Sequence, residues 1–157
     1  MTFKNEAQLK KFLSEQCAKA VKNTKEKVYG ELAGNLNQFY TEFKPAEYIR
    51  TGALFNSLEE TDVKRTGNQH VSRAEAEVGF NVPHYEQGDV LLQSGEYGNA
   101  TWDGETVLEV AMTGSYGGLP HGGYEDGTAI WTESMTKLGG NQGIKNLIKQ
   151  ELKKQGL

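Results

Sequence analysis

This chain of 157 residues holds one cysteine, three histidines and no long apolar run, and each scarcity removes a class of explanation. A lone Cys17 cannot close an internal disulfide. It falls on the apolar side of the first helical pattern, where a buried thiol packs as a small hydrophobe. No stretch reaches the roughly 18 to 20 apolar residues that cross a bilayer. Met1-Thr2-Phe3-Lys4-Asn5-Glu6 has none of the apolar character of a signal peptide, so cytoplasmic synthesis without membrane association is expected. His70, His84 and His121 belong to no His-x-x-x-His or Cys-x-x-Cys pair, the local pairs on which structural zinc sites are built. Neither metal nor cofactor is expected. A Gly-x-Ser-x-Gly elbow is missing too, which leaves Ser115, His121 and Asp126 as residues available for a triad without a motif that presents a nucleophile. The sequence also lacks internal repeats, low-complexity tracts and an interdomain linker.

Basic residues are scarce in the middle of the chain. Residues 45 to 127 hold four Lys and Arg against fourteen Asp and Glu, whereas residues 1 to 44 hold eight Lys against five Glu and residues 128 to 157 hold five Lys against two Glu. The net charge of −4 therefore conceals an acidic middle between two basic ends. An acidic middle has the wrong sign for a platform that neutralises phosphates, which argues against a nucleic-acid-binding regulator.

The periodicity predicts an α+β fold in a single domain over residues 1–157. Residues 1–44 form a long N-terminal helical arm, 45–127 a small antiparallel sheet with long loops, and 128–157 a C-terminal segment with a helix. In the arm, Leu9, Phe12, Leu13, Cys17, Ala20, Val21, Val28, Leu32, Leu36, Phe39 and Phe43 recur at spacings of three and four. Asn5, followed by Glu6 and Gln8, supplies a capping-box variant at its start, with Thr2 as the alternative cap. Pro45 sets its end. Gly30 and Gly34 each cost about 1 kcal/mol against Ala in a helix interior. A break near Tyr29-Gly30, or plain tolerance, is expected ahead of a close-packing seam.

Residues 58–66 and 70–80 flank the turn pair Gly67-Asn68 and predict a hairpin, with Ala74, Ala76, Val78 and Phe80 on its buried face. A third strand is predicted at Thr106–Met112. Eleven of the nineteen glycines lie between Gly79 and Gly127, which makes that region loop. After Gly139-Gly140-Asn141, the positions Ile144, Leu147, Ile148 and Leu152 predict a short amphipathic helix ending near Gly156.

Two stretches stand out as candidate sites. Between Gly114 and Tyr124 the chain is glycine-rich but lacks the Lys-Ser or Lys-Thr of a phosphate-binding loop. With Tyr116, Tyr124 and Trp131 nearby, and His121 within it, it suits adaptable protein contact, since aromatics supply area and glycine supplies shape. Tyr48-Ile49-Arg50-Thr51-Gly52-Ala53-Leu54-Phe55-Asn56-Ser57 joins the arm to the hairpin. There Thr51 can bond nearby backbone and Gly52 can take a positive φ. Leu54 then enters the core, and Ser57 caps or turns the chain. Arg50 is left over, for a local carboxylate or a neighbouring subunit.

The pattern Tyr-x-Arg-Thr-Gly-x-Leu-x-x-Ser resembles the signature of siphophage tail-completion or head-tail joining proteins, the small neck proteins of tailed bacteriophages. The likeness extends to the helical arm, the hairpin, the Tyr85-Glu86-Gln87-Gly88 segment and the terminal helix over residues 141–155. It implies a structural virion protein and not an enzyme: a subunit of a homo-oligomeric ring of six or twelve copies at the neck. It would contact connector or head-completion proteins on one side and tail-terminator or tail-tube proteins on the other, with DNA passing through the lumen unread. The alternatives are a minor capsid protein or tail terminator, or a small hydrolase using His121 or His84.

Overall fold

The computed structural model of the chain describes residues 2–42, 48–49, 52–67, 72–81, 90–92, 97–98, 105, 108, 115–116, 119–120 and 130–157. Among them the architecture is α+β, as the periodicity predicts. Helix α1 (Glu6–Glu42) is followed by β1 (Tyr48–Ile49), a 3-10 turn (Phe55–Ser57), β2 (Leu58–Glu60), β3 (Lys64–Gly67), β4 (Ser72–Glu75) and β5 (Val78–Phe80). Then come β6 (Val90–Leu92), β7 (Tyr97–Gly98), β8 (Ser115–Tyr116), β9 (Leu119–Pro120), α2 (Ile130–Lys137) and α3 (Gly140–Lys154). The chain divides into two compact units: residues 1–30, 60–78 and 138–157 form one, and residues 31–59 and 79–137 the other.

Helix α1 begins where its capping residues dictate. The Gln8 N–H donates to Asn5 Oδ1 at 2.9 Å, which satisfies one of the unpaired donors of the first turn, and Gln8 Oε1 accepts the N–H of Lys4, the residue before the cap, at 3.0 Å. The helix then runs unbroken for 37 residues to Glu42; the stop expected at Pro45 lies outside the described residues. The break expected near Gly30 does not occur. Gly30 and Gly34 are both exposed, and a Cβ on either would meet nothing within 4 Å, so neither is a packing seam within the chain. Leu32, Leu36 and Phe39 on the following turns are buried, and their burial offsets the glycine penalty.

Cys17 corrects another expectation: it is exposed. At that turn the buried face runs through Gln16, Ala20 and Thr24, spaced by four. One residue further along is about 100° around the helix, which carries Cys17 off that face.

The first unit contains the predicted hairpin. β3 and β4 pair antiparallel from Lys64 opposite Glu75 to Gly67 opposite Ser72, which keeps Gly67 in the strand; the residues that join the two, 68–71, and with them the predicted turn at Asn68, lie outside the described residues. The long strands 58–66 and 70–80 are interrupted, however. Thr61 pairs with Glu77 and Lys64 with Glu75, which sets Asp62 and Val63 against Ala76 alone, a β-bulge. The hairpin's expected buried face is only half-buried at Ala74, Ala76, Val78 and Phe80. β2 pairs with β5.

In α3 of the same unit, Gly139 (φ 77°) and Gly140 (φ 62°) take left-handed conformations at the helix start, and the Gly143 N–H donates to the Gly139 carbonyl at 2.9 Å. The helix ends in a Schellman motif around Gly156 (φ 82°): the Gly156 N–H reaches the Lys153 carbonyl at 3.0 Å and the Leu157 N–H the Leu152 carbonyl at 3.1 Å.

The second unit holds the larger apolar core, with Leu32, Leu36, Phe39, Leu54 and Ile130 buried. Its three-stranded sheet has the order β1-β6-β7, with Tyr48 opposite Leu92 and Ile49 opposite Leu91. β8 and β9 pair antiparallel within the glycine-rich stretch. The strand predicted at Thr106–Met112 meets helical geometry at Leu108 and at the preceding Glu105. Leu108, Ala111 and Met112 also fit a spacing of three and four, so period alone could not choose between strand and helix. The other residues of that segment lie outside the described residues.

Candidate functional site

The Tyr48 to Ser57 segment is built around one left-handed glycine. Gly52 has φ 82°, a conformation that costs a side-chain-bearing residue about 1–2 kcal/mol. The Asn56 N–H closes back onto the Gly52 carbonyl at 2.9 Å. Leu54 follows with 4% of its surface exposed, while the Ser57 hydroxyl donates to the Leu54 carbonyl at 2.7 Å and the Ser57 N–H to the same oxygen at 3.2 Å. Glycine, leucine and serine thus do what their spacing predicts: reverse the chain, anchor it, and close the 3-10 turn.

Tyr40 is the participant that sequence reasoning missed. Its phenolic oxygen accepts the Phe55 N–H at 3.1 Å, capping a 3-10 turn that has no side-chain cap of its own. The rings of Tyr40 and Phe55 meet edge to face, with centroids 5.5 Å apart and an interplanar angle of 79°. Phe55 nevertheless keeps 43% of its surface exposed. The available signal was weak: an aromatic three residues before Phe43, on a helix already rich in them.

A second polar group in this unit ties α1 to α2. Asn35 Nδ2 donates to Ser134 Oγ at 2.6 Å, and Lys137 Nζ donates to Asn35 Oδ1. Ser134 Oγ lies 2.7 Å from the Ile130 carbonyl and 3.5 Å from that of Glu31. It has one proton, and the shorter contact takes it. Ser134 is fully buried and its proton is committed, so it is a tie and no nucleophile.

The first unit is anchored by charge. Lys25, buried on α1, donates from Nζ to the Thr61 carbonyl at 3.0 Å and pairs with Glu60 Oε2 at 3.3 Å. With the Thr61 carbonyl engaged, the Glu77 N–H turns to the Thr61 hydroxyl at 2.9 Å, which fixes the bulge. On α3, the Glu151 side chain is 4% exposed: Oε1 accepts from Lys154 and Lys27, each at 2.8 Å, and Oε2 accepts from Asn23 at 2.9 Å. Hydrogen bonds from Lys154, Lys27 and Asn23 hold its pKa down at about 2. At the other end of α1, the Lys10 ammonium lowers the pKa of Glu6.

The remaining predicted residues divide between described and undescribed segments. Tyr48 lies in β1, Tyr116 in β8 opposite Leu119, and Trp131 on α2 with 40% of its surface exposed. Arg50, Thr51, Tyr85, Glu86, Gly88, His121 and Tyr124 lie outside the described residues, as do His70 and His84. Among the described residues no group of three or more His, Cys, Asp or Glu is placed to hold a metal ion, and no helix is long and apolar enough to cross a membrane. No family model, curated protein or solved structure matches the chain.

Proposed function

We propose that this chain is a structural virion protein of a tailed bacteriophage, a ring subunit that joins head to tail at the neck. The observation that carries the reading is the Gly52 to Ser57 turn. Three of the residues through which the segment resembles the neck-protein signature have defined structural work: Gly52 at positive φ, Leu54 buried and Ser57 bonded to Leu54. The order of elements around that turn supports it too, with the long helix before, the antiparallel hairpin after and a helix near the end.

A ring requires heterologous contacts, in which one face of a subunit meets a different face of the next. The segregated charge of the chain suits such pairing. The proposed partners beyond the ring are connector or head-completion proteins and tail-terminator or tail-tube proteins. Acidic groups on the lumen wall would keep passing DNA from adhering, because like charge repels phosphate. Glu75, Glu77, Asp89, Glu96 and Asp103 of the acidic middle are proposed for that wall; Glu77 is exposed and Glu75 is half-buried and paired with Arg73 at 2.8 Å. Asp89, Glu96 and Asp103 lie outside the described residues.

The test is genetic. A nonsense mutation in this gene within its phage is expected to yield filled heads and finished tails that accumulate separately, and purified protein added to the lysate should restore joined particles. Joined, infectious particles from the mutant would end the reading. Defective heads from the mutant would favour the minor-capsid alternative.

A further inference from the structure

Folding redistributes the charge of the chain. Residues 1–30, 60–78 and 138–157, which form one compact unit, carry fourteen Lys and Arg against eight Asp and Glu. The two basic ends therefore belong to one body with a balance of +6. Of the acidic middle, which argues against nucleic-acid binding, only residues 60–78 fall within it.

Helix α3 shows where that positive charge is free. One side of it carries Ile144, Leu147, Ile148 and Leu152, all half-buried, together with the buried Glu151. A turn of about 100° per residue gathers Gln142, Lys145, Asn146, Lys149, Gln150 and Lys153 on the opposite side, and all six are exposed. That side holds no carboxylate. Lys145, Lys149 and Lys153 repeat every fourth residue, and none of them pairs with a carboxylate among the described residues. The one acid of the helix, Glu151, is buried and already held by Lys27 and Lys154, each at 2.8 Å.

The composition of the exposed side discriminates among anionic partners. A lipid surface is met by apolar residues, and the apolar stripe of α3 is on the other side. Single strands are held on aromatic platforms, of which the helix has none. Protein interfaces are depleted in lysine. The phosphates of a duplex, in contrast, are contacted by Lys together with Asn and Gln, which is the set that this side presents. The lysine row extends over about 12 Å, and a duplex carries one charge roughly every 1.7 Å of its axis, so all three ammoniums can meet phosphates at once.

We propose that the exposed side of α3 binds the phosphate backbone of duplex DNA, with Lys145, Lys149 and Lys153 as the cationic contacts and Gln142, Asn146 and Gln150 as hydrogen-bonding neighbours. Such contacts read no base and let a duplex slide. Glu75 and Glu77, proposed to repel DNA, lie in the 60–78 segment and not on α3. The inference goes beyond the neck reading and rests on the charge and the helix side alone.

The test is fluorescence anisotropy of a labelled mixed-sequence duplex of about 30 base pairs, titrated with the full-length protein at several salt concentrations. A Kd below about 100 μM is expected at about 50 mM salt, and release of counterions from three phosphates should weaken binding about 40-fold by about 200 mM. Lys145→Gln, Lys149→Gln and Lys153→Gln together should lower the salt slope by about 2.7 and the low-salt affinity by about tenfold or more. Lys4→Gln, Lys11→Gln and Lys19→Gln together remove the same charge from exposed positions near the start of the chain, and should lower the slope by about one unit or less. A duplex left unbound at low salt overturns the proposal. So does binding that the α3 triple variant leaves unchanged, an equal loss from both triple variants, or tighter binding to a single strand than to the duplex. Retention on anionic lipid vesicles, or self-association that the α3 variant abolishes, with no duplex bound, overturns it as well. Duplex binding through α3 in a protein absent from phage particles would keep this inference and end the neck reading. A neck protein that ignores the duplex would do the reverse.

Discussion

Lys27 on the long first helix places its Nζ 2.8 Å from Oε1 of Glu151, 124 residues further along on the last helix. Lys154 reaches the same oxygen and Asn23 the other, so a carboxylate with 4% of its side chain exposed has a donor at each oxygen. A buried charge with a full set of partners holds its elements in place, and removing one side leaves the other uncompensated.

The pH dependence follows from the lowered pKa. A carboxyl whose pKa falls from 4.5 to about 2 on folding contributes stability that is present above about pH 4.5 and is lost as pH drops toward 2. Glu151→Gln should therefore be less stable than wild type at pH 7, with the gap narrowing between pH 4.5 and 2. Urea unfolding across that range reads it, and a gap that is constant with pH would contradict the assignment.

Much of this framework was legible in the sequence, and the failures have physical causes. Asn5 and Gln8, Gly52 at positive φ and the glycine end of α3 were readable because each depends on local backbone chemistry. The burial of Lys25, Asn35 and Glu151 was not, because partners of each lie far away in sequence. Helix α2 escaped notice because its buried positions, Ile130 and Ser134, pair one apolar residue with one polar residue that bonds back to the helix. The short strands β1, β6 and β7 are two or three residues each, too few to show a period.

Gly30→Ala and Gly34→Ala test the continuity of α1. Both sites are exposed with room for a Cβ, so each substitution should stabilise the chain by about 0.5–1 kcal/mol through helix propensity. Thermal unfolding of the isolated protein measures this. Destabilisation by either would contradict an unbroken helix at that point.

Gly143→Ala should act in the opposite direction. A Cβ there would run into the Leu138 carbonyl oxygen, a clash with backbone that no rotamer relieves. A loss of about 1–3 kcal/mol is expected. Gly140→Ala, at φ 62° with nothing within 4 Å of its Cβ, should cost less, about 1–2 kcal/mol for the left-handed backbone alone. Equal effects would contradict the geometry of the α2 to α3 turn.

Leu54→Ala should cost about 2–5 kcal/mol, as a buried leucine does when its cavity cannot close. Ser57→Ala removes one hydrogen bond and should cost about 1 kcal/mol. The larger effect at Leu54 separates anchoring from turn closure; the reverse order would mean that the hydroxyl, not the leucine, holds the segment.

The central claim, that this protein is part of the neck, is tested most directly by a side-chain-resolution reconstruction of the phage particle. The account predicts a ring between head and tail in which each subunit shows an unbroken helix of about 55 Å, the length of the 37 residues of α1, followed by the Gly52 to Ser57 turn. Density for the chain elsewhere in the particle, or a particle complete without it, would contradict the account.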